Sequence, residues 1–365
     1  MTIRRARYQC PVSGQWSCPL DALLDLPVGA LTVSLAQRAL RLSTKLGFAE
    51  LQAELAAQHD VAVSDTTLDV LMNQVGAVAC ADRQATLAAL AAVPVGRSRE
   101  EAVGLRLVEP QRLYISCDGI TYATRLREDD PDHPGQQRLV HQEMKVGTVF
   151  WQDDREVWHK QVVSGREDPE GFGLSLWALA VQCGMRDCAE VLFISDGGGW
   201  CNSVAERYFK DAVRILDWYH LSEHVWKAGR ALYPTQEPAA ARWVDTCLEH
   251  LHDSSGRGLL RHLEGCLQAR GRTLSTTERE ALDGLLGYVR PRLDITEYVT
   301  YRAKGYVIGS GMMESTCKQV VGRRLKGSGM QWSEAGALAM TALIGQYLNG
   351  AWATFWRSRP LQRAA

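Results

Sequence analysis

VLFISDGGGW, residues 191–200, is the stretch on which the reading of the whole chain turns. Four consecutive apolar residues, Val191 to Ile194, suit a strand buried on both faces, and the run stops at Ser195-Asp196. Three glycines follow, so the backbone there can turn sharply and come close to a ligand. A buried strand that ends on an acid raises the question of what that acid holds.

Downstream, a helix is expected from about Asn202 to Lys210, a strand at Val213–Asp217, and a further helix from about Tyr219. Upstream, Leu113–Cys117 reads as a strand ending at Asp118-Gly119, and REDDPDHPGQQ (127–137) as a solvated loop. Glu143–Trp151 and Glu156–Val163 read as two more strands, and Asp168 caps a helix with Pro169 in its first turn, running to about Gly184. The first three strands can form a meander, while the later two alternate with helices and should add in parallel. The expected fold class is therefore α/β, with a mixed five-stranded sheet and flanking helices. Asp118 ends the first strand and Asp196 the fourth. If those strands are parallel neighbours, the two carboxylates lie side by side.

Around this core, residues 1–29 look irregular, broken by Pro11, Pro19 and Pro27. Cys10 and Cys18 bracket PVSGQWS, spaced wider than a compact zinc hairpin; they are either a metal pair or two structural cysteines. Residues 30–92 read as a small helical domain: Leu31, Leu35, Ala39 and Leu42 share a face, Phe48, Leu51 and Leu55 continue, and Ser64 caps a helix that Gly76 stops. That outline suits a helix-turn-helix or plain helical packing, and its second helix carries Asp65 and Asp69 but no Lys or Arg. Residues 93–110 read as a linker, 111–220 as the first part of the α/β core, 221–305 as an all-helical insertion, and 306–365 as the remainder of the core. Ser275-x-x-Glu278 is a capping box within the insertion.

GSGMMESTCKQVVGRRLKGSGMQW (309–332) carries the third acid. Apolar residues at 313, 317, 320, 321 and 325 give one face of a helix that Gly327 stops, with Glu314 in its first turn. Arg302, Lys304, Lys318, Arg323, Arg324 and Lys326 form a local basic track with Glu314 as its one acid, in a chain whose formal net charge is −1. That charge argues against a protein that coats nucleic acid but allows one basic surface. Trp332 can stack on a DNA base or pack on the last helices. No apolar run approaches the ~20 residues of a membrane span. The N-terminus is not a secretory signal, and scattered cysteines in apolar contexts suit a cytosolic chain.

Three carboxylates in one cleft repel each other unless hard cations neutralise them, and an oxygen-only donor set suits Mg²⁺ or Mn²⁺. Two such ions about 4 Å apart can activate a water or a 3′-hydroxyl and stabilise the leaving oxygen of a phosphodiester. Gly119 and Gly197, each next to an acid, leave room for metal and phosphate. Read alone, Asp118 and Asp196 can also be simple turn caps after strands. His220 and His224 with Glu223 lack a third ligand and the order of a zinc protease motif.

ISCDG (115–119), FISDGGGW (193–200), ILDWYHLSEHVW (215–226), GSGMMES…RRLKGSGMQWS (309–333) and PLDALLDLP (19–27) together resemble insertion-sequence transposases of the ISKra family. The resemblance implies an RNase H-like catalytic domain with an Asp-Asp-Glu triad, onto which Asp118, Asp196 and Glu314 map as catalytic residues and metal ligands. It also implies two Mg²⁺ ions, for which Mn²⁺ can substitute, and a helical insertion before the Glu. The partners implied are double-stranded DNA (element ends and target) and other copies of the chain assembled on it, in the cytoplasm and on the nucleoid. Asp217-Trp-Tyr-His220 resembles a further pattern of related transposases, in which His220 contacts DNA or positions the site and Asp217 orients it; a polar pair at a strand–helix junction is the alternative. Lys318, Arg323, Arg324, Lys326 and Trp332 are the DNA-contact candidates. The implied activity is DNA cleavage and strand transfer. The alternatives are a nuclease that cuts without joining and a non-catalytic DNA-binding derivative.

Overall fold

The computed structural model describes residues 6–14, 16–20, 31–94, 96–104, 108, 110–270 and 273–357. Most of PLDALLDLP lies outside the described residues. Two short antiparallel strands, β1 (Tyr8–Gln9) and β2 (Trp16–Ser17), replace part of the segment expected to be irregular, with Cys10 and Cys18 just beyond their ends. Next come α1 (Val33–Ser43), α2 (Phe48–His59), α3 (Asp65–Ala92) and, within the expected linker, a short α4 (Arg97–Ala102).

The sheet then forms from β3 (Arg112–Asp129), β4 (Gln137–Gln152) and β5 (Trp158–Gly165). α5 (Pro169–Gln182), β6 (Glu190–Ser195), α6 (Gly199–Tyr208) and β7 (Val213–Leu216) complete it. Spatial order is β5-β4-β3-β6-β7. β3, β4 and β5 are antiparallel, whereas β6 joins β3 and β7 joins β6 in parallel, as the order of elements predicted. The remaining chain is helical: α7 (Trp218–Leu232), α8 (Glu237–Arg270, kinked at Ser254–Ser255), α9 (Thr276–Val289) and α10 (Tyr298–Ala303). α11 (Gly311–Cys317) runs through a π-helical turn, Lys318–Gly322, into α12 (Arg323–Leu325), followed by α13 (Glu334–Leu348) and α14 (Trp352–Arg357).

Two further expectations are corrected. β3 does not end at Asp118-Gly119; it continues to Asp129 because its antiparallel partner β4 extends with it, pairing Asp118 with Val146 and Asp129 with Gln137. What ends near Asp118 is the parallel partner, whose last pair is Ser116 with Ile194. Gly76 does not stop a helix either, since α3 passes through it. A Cβ at Gly76 would stand 2.5 Å from the Cβ of Ala339, so this glycine lets α3 and α13 touch backbone to backbone.

Strand alternation divides the core. Leu113, Ile115, Cys117 and Phe193 face α5 and α6, packing on Phe172, Leu176 and Val204. Tyr114, Leu192 and Ile194 face the other way, against Leu221 and Val225 of α7 and Leu282 and Leu286 of α9. A third cluster joins α1–α3 (Leu40, Leu55, Leu71) to Tyr122, Met144, the α11–α12 stripe and α13. The helices of residues 30–92 therefore bury their apolar faces against the chain's last helices. All five stripe residues predicted around Glu314 (Met313, Cys317, Val320, Val321 and Leu325) are buried.

Candidate active site

Asp118 belongs to the face of β3 that carries Tyr114 and Ser116, and Asp196 to the face of β6 that carries Leu192 and Ile194. Extending the Ser116–Ile194 register by two residues brings Asp118 beside Asp196, on the side of the sheet that α7 and α9 cover. Ser116 Oγ locks the two strands just before them by donating to Ile194 O at 2.7 Å. A cavity of about 530 Å³ opens there, lined by Asp118, Asp196, Asp217, His220 and Glu314, with Tyr219, Glu223 and Ser310. Residues as far apart in sequence as Asp118 and Glu314, on either side of the helical segment, thus share one cavity.

Each acid is held differently. Asp118 Oδ1 accepts from the Gly119 amide at 2.7 Å, and Asp196 Oδ1 from the Gly198 amide at 2.8 Å. Burial pushes the Asp118 carboxyl above its usual range; the Gly119 amide opposes this, the charges of Asp196 and Glu143 add to it, and His220 opposes it. Glu314 is exposed, and its Oε1 takes the Lys318 ammonium at 2.6 Å, one helical turn on. Among the described residues, no three His, Cys, Asp or Glu side chains are grouped so that they could hold one ion. The donor chemistry nevertheless fits a hard cation. All three groups are carboxylates, an oxygen-only donor set.

Asp217 is 5% exposed and accepts three hydrogen bonds: from the Tyr219 amide (3.0 Å), the Ser310 amide (3.0 Å) and the Ser310 hydroxyl (2.5 Å). It therefore caps α7 and ties down the turn that begins the Glu314 helix. His220 Nε2 lies 3.3 Å from His224 Nε2. Burial, then the nearby His220, Lys227 and Arg292 charges, lower the His224 pKa, so His224 stays neutral near neutral pH.

The helical segment supplies residues that sequence reasoning missed. Tyr288 of α9 stacks on His224 (centroids 3.8 Å apart) and donates its hydroxyl to Asp196 O at 2.8 Å. Arg292 lies over the Tyr288 ring at 4.2 Å and donates to Tyr288 O (2.9 Å) and Gly197 O (3.0 Å). The local sequence carried no signal for the pair: Tyr288 lies in the last turn of α9, and Arg292 follows Pro291 in a short 3₁₀ turn, Arg290–Ile295. The room expected beside the two glycines is filled. A Cβ at Gly197 (φ +73°) would stand 2.7 Å from Arg292 Nε, and one at Gly119 would overlap the Glu143 carboxylate.

The basic track separates. Lys318, Arg323 and Lys326 are exposed. Arg324 is not a surface cation. It is 1% exposed, lies over Phe48 (5.5 Å) and Trp332 (5.4 Å), and donates from Nε to Ser43 O at 2.5 Å. Burial pushes its pKa down to about 10. Trp332 is likewise packed, with its backbone paired to β3 through Ala123 and Arg125. The helical stripe placed Arg324 beside Leu325, but which neighbours closed over it was not legible locally. Arg302 bonds His252, and Lys304 lies over the Tyr306 ring, so both are engaged within the helical segment and its exit.

No helix among the described residues is long and apolar enough to cross a membrane. No protein-family model matches the chain. No curated protein matches it. Among solved structures, it is similar to the Drosophila P element transposase strand transfer complex, with 11% identity and a TM-score of 0.29. That match covers 90% of this chain and 80% of the other, and an overlap this loose assigns neither fold nor activity.

Proposed function

We propose that the protein is a metal-dependent transposase of the Asp-Asp-Glu type, which cuts DNA at element ends and transfers the strand. The observation that carries this is the shared cavity of Asp118, Asp196, Glu314 and His220, drawn from four separate segments of the chain. The resemblance of those segments to ISKra-family transposases supports it, as does the β5-β4-β3-β6-β7 sheet, an order compatible with an RNase H-like core.

Asp118 and Asp196 would hold Mg²⁺ or Mn²⁺ between them, with Glu314 completing the set once its carboxylate turns from Lys318. Two such ions, when bound, activate the attacking oxygen and stabilise the leaving oxygen of the phosphodiester. The chain's own part is positioning. Asp217 fixes the start of the Glu314 helix through Ser310. Tyr288 and Arg292 fix the turn that carries Asp196. His220, backed by a neutral His224, can donate to a phosphate oxygen or take the proton of the attacking hydroxyl. Lys318, Arg323 and Lys326 supply cations for the DNA backbone. Pairing two DNA ends calls for at least two copies of the chain on DNA.

The test is to incubate the protein with Mg²⁺ or Mn²⁺ and DNA carrying the sequences that flank its own gene, beside Asp196→Ala. Expected is metal-dependent nicking at the element boundaries, lost in the variant, with joined products separating a transposase from a nuclease that only cuts. One rival is a non-catalytic DNA-binding derivative, against which the retention of Asp118, Asp196 and Glu314 counts. DNA binding without cleavage, equal in both proteins, would decide for it.

A further inference from the structure

We infer that Tyr219 is a stacking platform for an unpaired nucleobase at the mouth of the carboxylate cavity, an inference that rests on the transposase reading. Tyr219 is 63% exposed, more than any other described large hydrophobic side chain except Val12, and it lines the cavity that holds Asp118, Asp196 and Glu314. It is the one Phe, Tyr or Trp in that lining.

Exposure alone says little, but this ring is mounted. Its amide donates to Asp217 Oδ1 at the start of α7. Its Cδ2–Cε2 edge abuts Gly309, where a Cβ would stand 2.5 Å from Tyr219 Cε2 and 2.8 Å from Cδ2. A ring fixed at one edge by a glycine and 63% exposed loses little freedom when a second flat group covers its face.

The surroundings select what that group is. The cavity lining is acidic, with Asp118, Asp196 and Asp217 and the exposed Glu223 and Glu314, and repels a phosphate that arrives without cations. The uncharged face of a base meets no such penalty. In a duplex those faces are covered by neighbouring bases, so the ligand is a nucleotide turned out of the stack beside the scissile phosphate. One base stacked on an aromatic ring is worth about tenfold or more in affinity.

The test uses duplexes spanning the element boundary, each with a single mismatch moved one position at a time, and binding measured without divalent metal. For the wild-type chain, one position is expected where the mismatch tightens binding about tenfold, because the base there is already unpaired. A 2-aminopurine at that position should change fluorescence on binding. Tyr219→Phe keeps both effects and Tyr219→Ala loses both, whereas Asp196→Ala keeps them while losing cleavage. An unchanged mismatch preference in Tyr219→Ala overturns the inference, as does an equal loss in Phe and Ala variants with a lowered unfolding midpoint. Cleavage by the wild type with no preferred position removes the stacking site and leaves the transposase reading standing. A preferred position without metal-dependent cleavage does the reverse.

Discussion

Asp217 takes both the amide and the hydroxyl of Ser310, at 3.0 and 2.5 Å, so the residue that starts α7 also sets where the Glu314 helix begins. Asp217→Ala leaves those two donors and the Tyr219 amide without their acceptor, at a cost of about 2–3 kcal/mol in urea unfolding. Cleavage should fall further than the lost stability accounts for, because Glu314 loses its fixed origin. Asp217→Asn, which keeps an acceptor oxygen, should lie between the two.

Gly197 sits at φ +73° against Arg292. Gly197→Ala should cost about 1–2 kcal/mol from backbone strain alone, and more from displacing the guanidinium. Arg292→Ala made in the same chain should recover the second part only. A double-mutant cycle reads this as non-additivity, and strictly additive losses would mean that Arg292 does not crowd Gly197.

Arg324 and its neighbours should respond oppositely. Arg324→Ala removes a buried ion that is hydrogen-bonded to Ser43 and stacked between two rings, and should lose about 2–4 kcal/mol of stability. Arg323→Ala and Lys326→Ala should change stability by about 0.5 kcal/mol or less and instead flatten the salt dependence of DNA binding. Denaturant curves beside binding at two ionic strengths separate these effects.

Asp118 titrates above the usual carboxylate range, so the folded chain holds its proton more tightly than the unfolded chain does. Its contribution to stability is therefore fully present below the unfolded pKa of about 3.9 and is lost as pH rises through the raised folded value. Asp118→Asn should be more stable than wild type at neutral pH, and the gap should close as pH falls toward 4. Mn²⁺ should raise the wild-type midpoint and leave the variant unmoved, since only an ion that binds the folded state stabilises it. A pH-independent gap would remove the burial argument.

Much of the frame was legible because it rests on local signals. The apolar run before Asp196 and the alternation around Tyr114 and Ser116 depend on side-chain period alone, and they put both acids on one face of the sheet. The stripe from Met313 to Leu325 needed only helical spacing, and Ser64, Asp168 and Ser275 cap the helices they precede. The end of β3 was misread because strand length was set by the hairpin partner β4, not by the glycine at 119. Gly76 was misread because a glycine that ends a helix and one that admits a crossing helix look the same in a linear chain.

From the sequence by itself came the sheet's order of elements, the three acids and the apolar face behind Glu314, since periodicity and capping act over a few residues. Only the tertiary structure decided that Arg324 is core and not surface, that Asp217 holds Ser310, and that Tyr288 and Arg292 of the helical segment clamp the Asp196 turn. Those contacts join residues about 90 to 280 positions apart. Their energies depend on which surfaces exclude water together, and no local pattern encodes that.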